Sequence, residues 1–149
     1  MKAGRGLGLG LLALAGAALP AAARAAAPAC RISVTASADD SFAGAGYDSS
    51  PARLRALAAL TRDRFAAAAR RLCASGVLRP GDLERFRRLV VQNGEGATEP
   101  LIYRDRAAAP GSYVFQFAFQ NGGPPGPAGF EHALRCWKRP QSRGCDLSD

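Results

Sequence analysis

SPARLRALAALTRDRFAAAARRLC, residues 50–73, decides the architecture. After Pro51 it contains twelve Ala or Leu residues with no further Gly or Pro. Leu54, Leu57, Ala58, Thr61, Phe65, Ala68, Ala69 and Leu72 recur at three- and four-residue steps, which on a helix draws one apolar stripe. Arg55, Arg62, Asp63 and Arg70 fall off that stripe. Ser50 (or Ser49) suits the N-cap and Pro51 the first helical position, where its missing N–H costs nothing. Gly76 is placed to cap the other end, and Pro80-Gly81 prevents continuation. The spacing therefore predicts one long amphipathic helix ending near Cys73.

Around that helix the chain has β character. Residues 30–37 (CRISVTAS) alternate Ile32 and Val34 against Ser33 and Thr35 and read as a short strand. Residues 38–50 are rich in Asp, Ser and Gly and read as a loop. Beyond a short helical turn at 81–85, four segments read as strands: 86–92 (FRRLVVQ), 101–104 (LIYR), 113–120 (YVFQFAFQ) and 132–138 (HALRCWK). They are separated by Asn93-Gly94-Glu95-Gly96, Ala107 to Gly111 and Asn121 to Pro127, which hold the residues that turns demand. One long helix on a meander of three or four antiparallel strands is a two-layer α+β fold. Cystatin-like and nuclear-transport-factor-like (NTF2-like) folds share this outline, an analogy of architecture and not of motifs.

The first 25 residues have the layout of a secretory signal peptide: Lys2 and Arg5, the apolar run Leu7 to Leu19, Pro20, then small residues. The run is shorter than the ~20 residues that span a bilayer, so no membrane anchor is expected. Cleavage after Ala23-Arg24-Ala25 leaves residues 26–149 as a single small exported domain, periplasmic or secreted. Cys30 is not expected to carry lipid, because Ala27-Pro28-Ala29 before it lacks the usual Leu. Loss of Lys2, Arg5 and Arg24 lowers the formal net charge from +8 to +5.

All four cysteines, Cys30, Cys73, Cys136 and Cys145, follow the cut, and an even count in an exported domain predicts two disulfides with three possible pairings. Pro140-Gln141-Ser142-Arg143-Gly144 can turn the chain back, favouring Cys136 with Cys145 and leaving Cys30 for Cys73.

Catalytic groups are scarce. His132 is the only histidine, and on a strand its neighbour Glu131 would point to the opposite face. No nucleophile motif accompanies it. No metal site is expected, since one histidine and no Cys-x-x-Cys pair do not build a zinc centre. Asp39, Asp40 and Asp48 lack calcium-loop spacing and read as loop acids. Gly94 to Gly96 reads as a hairpin rather than a phosphate loop, and no cofactor is implied.

Two patterns remain. Tyr113, Phe115, Phe117 and Phe119 form a period-2 aromatic row, most simply the core face under the helix and alternatively the wall of an apolar ligand cavity. Arginines crowd the candidate strands, and Arg87, Arg104 and Arg135 would form one basic stripe across neighbouring strands. Export makes nucleic acid an unsuitable partner and points to an anionic envelope component or an acidic protein. The expectation is a non-catalytic binding or interaction domain. Its alternatives are a small periplasmic enzyme using His132 and a carrier of apolar ligands.

Overall fold

The computed structural model describes residues 29–119 and 123–145. The expected signal peptide at 1–25 and its expected cleavage site lie outside the described residues.

The elements run β1 (Thr35–Ala38), a 3₁₀ helix (Asp40–Ala45), α1 (Pro51–Ala74), α2 (Pro80–Leu83), β2 (Arg88–Asn93), β3 (Leu101–Arg104), β4 (Ser112–Phe117) and α3 (Pro127–Lys138). Helix α1 is the one that the stripe predicts. Leu57, Ala58, Thr61, Phe65, Ala68, Ala69 and Leu72 are buried, and Leu54 is half-buried. Pro51 opens the helix. At its end Gly76 takes φ +78°, a left-handed conformation that lets the Val77 N–H reach Leu72 O at 2.9 Å.

The four strands form one mixed sheet in the order β1-β2-β4-β3. Strands β1, β2 and β4 run parallel, and only β3 is antiparallel, to β4. This corrects the expectation of an antiparallel meander. Helix α1 carries the chain from β1 back to the start of a parallel β2, and β4 inserts between β2 and β3 instead of following β3 on the outside. Sequential order along the chain does not encode that insertion. The first strand also begins later than expected, at Thr35.

A second correction concerns residues 132–138, which belong to helix α3 and not to a strand. Pro127 occupies its first turn, and Phe130, Ala133, Leu134 and Trp137 recur at helical spacing on its core side. The fold therefore places two substantial helices, not one, on a single face of the sheet. That face presents Leu89, Val91, Ile102, Phe115 and Phe117, all buried in one cluster with Phe65 of α1 and Phe130 of α3. Phe115 and Phe130 stack with centroids 4.6 Å apart and planes 5° from parallel. Phe86 is enclosed by Phe65, Tyr113 and Trp137 at centroid distances of 5.0, 4.7 and 4.6 Å. The aromatic row of β4 is thus core, with Tyr113, Phe115 and Phe117 buried and Phe119 half-buried against Phe42 and Tyr47.

Two disulfides staple this arrangement. Cys30–Cys73 ties the segment before β1 to the last turn of α1, and Cys136–Cys145 closes the chain after α3 onto that helix. The pairing is the one that the turn at Pro140–Gly144 favours. Among the described residues no helix is long and apolar enough to cross a membrane.

Candidate anion-binding clefts

The helical state of 127–138 rearranges the charged residues that a strand would have alternated. On α3 His132 and Arg135 fall three residues apart on one face, and Arg139 caps the helix end with its N–H donating to Arg135 O at 2.9 Å. Glu131 turns to α1 instead, where Arg71 Nε donates to its Oε1 at 2.8 Å.

The face carrying His132 borders a cleft of about 420 Å³ between the C-terminal half of α3, the turn after α1 and the disulfide loop. His132, Arg135, Lys138, Arg139, Arg143 and Cys145 line it, and among the described residues no carboxylate does. Lys138 is already neutralised, because its Nζ lies 2.7 Å from both carboxylate oxygens of Asp82. Asp82 is buried, which by itself would push its carboxyl upward. The Lys138 hydrogen bonds, the Arg79 amide at 2.8 Å and the charges of Lys138 and Arg85 outweigh that penalty and hold it below its ordinary value. Arg135, Arg139 and Arg143 are exposed and have no acidic partner within 4.0 Å among the described residues. Arg135 also complements the negative end of the α3 dipole, but Arg143 lies beyond the helix, where that account does not reach.

A second basic cleft, of about 640 Å³, opens beside the end of the sheet. Arg85, Arg87 and Arg104 line it together with Glu84, Gly111 and Tyr113. The register explains the meeting of Arg87 and Arg104. Arg104 pairs with Tyr113, which pairs with Leu89, and Arg87 precedes Leu89 by one side-chain repeat. Gly111 supplies the approach: its carbonyl accepts from the Arg87 and Arg88 amides at 3.0 and 3.1 Å.

Of the three arginines expected in one stripe, the fold therefore unites Arg87 and Arg104 and puts Arg135 on a helix in the other cleft. Trp137, packed on Phe86 and Tyr113, and the Asp82–Lys138 pair lie on the elements that connect the two. Arg143 is the lining residue that sequence reasoning missed. Its only signal is its position inside the loop closed by Cys136 and Cys145.

His132 is partly exposed. Its Nε2 lies 3.9 Å from Glu99 Oε2, beyond hydrogen-bond reach, and 3.5 Å from Cys136 Sγ, which the disulfide occupies. The loop acids serve the backbone: Asp39 Oδ1 accepts from the Ser41 amide at 3.1 Å and from the Ser41 hydroxyl, and Asp48 Oδ1 accepts from the Ser50 amide at 3.0 Å.

Comparison with known protein families, with curated proteins and with solved structures finds no match to this chain.

Proposed function

We propose that this chain is an exported, disulfide-stapled binding domain that recognises an anionic group on a component of the cell envelope. The observation that carries this reading is the cleft lined by Arg135, Arg139 and Arg143 with no carboxylate among its described lining residues. Three guanidinium groups offer planar donor pairs that match phosphate, sulfate or carboxylate oxygens. Arg87 and Arg104 give the same surface chemistry at the second cleft, where Glu84 offsets part of the charge. The leader-like residues 1–25 and the full pairing of Cys30, Cys73, Cys136 and Cys145 support an oxidising compartment as the place of work.

The test is co-sedimentation of the periplasmic protein with phosphatidylglycerol vesicles against phosphatidylcholine vesicles. The anionic vesicles are expected to retain it at low salt and to release it about tenfold more weakly bound above physiological ionic strength, where screening acts over ~8 Å or less. An Arg135→Glu/Arg139→Glu/Arg143→Glu variant is expected to lose retention while keeping its thermal transition. Equal retention of that variant, or equal retention on both vesicle types, overturns the reading.

A further inference from the structure

We propose that the Cys136–Cys145 disulfide is a thiol-exchange site for small anionic thiols, with His132 stabilising the departing Cys136 sulfur. The choice of an anionic thiol rests on the basic-cleft reading; the role of His132 does not.

Three observations meet at this disulfide. Cys145 lines the cleft that Arg135, Arg139 and Arg143 also line, whereas Cys136 does not. Cys136 is 4% exposed and Cys145 9%, so Cys145, which lines the cleft, is the more open of the two. His132 precedes Cys136 by one helical turn on α3 and holds Nε2 3.5 Å from its Sγ. The chain has no second histidine to serve Cys30–Cys73 in the same way.

Exchange proceeds by attack of a thiolate on one sulfur and departure of the other, and it accelerates as the leaving thiolate is stabilised. Here the incoming thiol first loses its proton to solvent. Its sulfur then forms a bond to Cys145 Sγ while the Cys145–Cys136 bond breaks, and that electron pair passes to Cys136 Sγ. A proton on His132 Nε2 is donated to the new thiolate, and the surrounding arginines favour its negative charge. The product is a mixed disulfide on Cys145 and a reduced Cys136, with no external oxidant or reductant consumed. Attack by Cys136 on the mixed disulfide reverses the step. The cationic lining selects the reactant: a thiol bearing a sulfonate or carboxylate is attracted, and one bearing an ammonium is repelled.

The oxidised protein from the periplasm is treated with 2-mercaptoethanesulfonate, 2-mercaptoethanol or cysteamine. Rates are expressed per thiolate and relative to each thiol's rate on 2-hydroxyethyl disulfide, and adducts are located by non-reducing peptide mapping. The expected adduct is on Cys145, with the anionic thiol faster than the cationic one by about tenfold or more. Arg139→Glu/Arg143→Glu should invert that order. His132→Gln should slow all three thiols by about tenfold, and His132→Lys, which restores a donor, should recover much of the rate. A His132→Gln variant that reacts at the parent rate, or a first adduct at Cys30, Cys73 or Cys136, overturns the exchange site. Loss of the charge order with the His132 effect intact overturns the anionic substrate and the basic-cleft reading together.

Discussion

Lys138 Nζ and the Asp82 carboxylate are joined by two contacts of 2.7 Å that tie the end of α3 to α2 across 56 residues of sequence. Asp82 also accepts from the Arg79 amide, so its charge serves the turn as well as the pair. Removing one partner leaves the other poorly solvated. Asp82→Ala is expected to cost about 2–3 kcal/mol in urea unfolding at neutral pH, and a loss below about 0.5 kcal/mol would remove this pair from the stabilising contacts.

The same carboxylate gives the protein a pH dependence of known sign. Its folded value is depressed below the unfolded one, so the unfolded chain binds the proton more readily. The stabilisation is complete above the unfolded carboxylate range and declines as acid carries the pH down through the folded value. Thermal midpoints should therefore fall from about pH 5 downward, and Asp82→Asn should flatten that slope. An equal slope in the variant assigns the acid sensitivity to other carboxylates.

Residues 132–138 show where sequence legibility ends. HALRCWK fits a strand by alternation and a helix by the Phe130–Ala133–Leu134–Trp137 spacing, and only the extension back to Pro127 separates them. Helix α1 and strand β3 were legible because their patterns are long or bounded by clear turns. The parallel pairing of β2 with β4 was not, since Val90 and Val114 alternate with core residues as they would in either direction. Arg87 and Arg104 line one cleft although β4 separates β2 from β3, so they do not lie on neighbouring strands, and Arg135 lies on α3 rather than on a strand.

Thr61 is fully buried on α1, and among the described residues its Oγ1 has no hydrogen-bond partner. A buried hydroxyl without a partner retains its desolvation penalty, whereas a methyl of the same shape does not. Thr61→Val is expected to raise stability by up to about 1 kcal/mol in denaturant titration. A loss of comparable size would show that the hydroxyl is satisfied in solution.

The two disulfides should differ in their stabilising effect. Chain entropy assigns about 4 kcal/mol to the separation of 43 residues between Cys30 and Cys73 and about 2.5 kcal/mol to the 9 between Cys136 and Cys145. Paired Cys→Ala variants compared by thermal unfolding should show the larger loss for the Cys30–Cys73 pair. The reverse order would mean that Cys136–Cys145 holds native contacts beyond its loop, namely the packing of α3.

Gly111 links backbone conformation to the second cleft. It takes φ +91°, and a Cβ there would lie 3.0 Å from Arg87 Cγ and Cδ and 3.2 Å from Arg85 O. The side-chain carbons can yield by rotation, but the carbonyl belongs to the turn that starts β2 and has little room to move. Gly111→Ala is expected to destabilise the fold by about 1–2 kcal/mol, from the left-handed backbone and the crowding together. It should also displace the Arg87 side chain from Arg104 while leaving the cleft around Arg139 intact. Retention on phosphatidylglycerol vesicles then distinguishes the two surfaces: a folded Gly111→Ala variant that binds as the parent does confines recognition to the α3 cleft, and one that releases assigns part of it to Arg87.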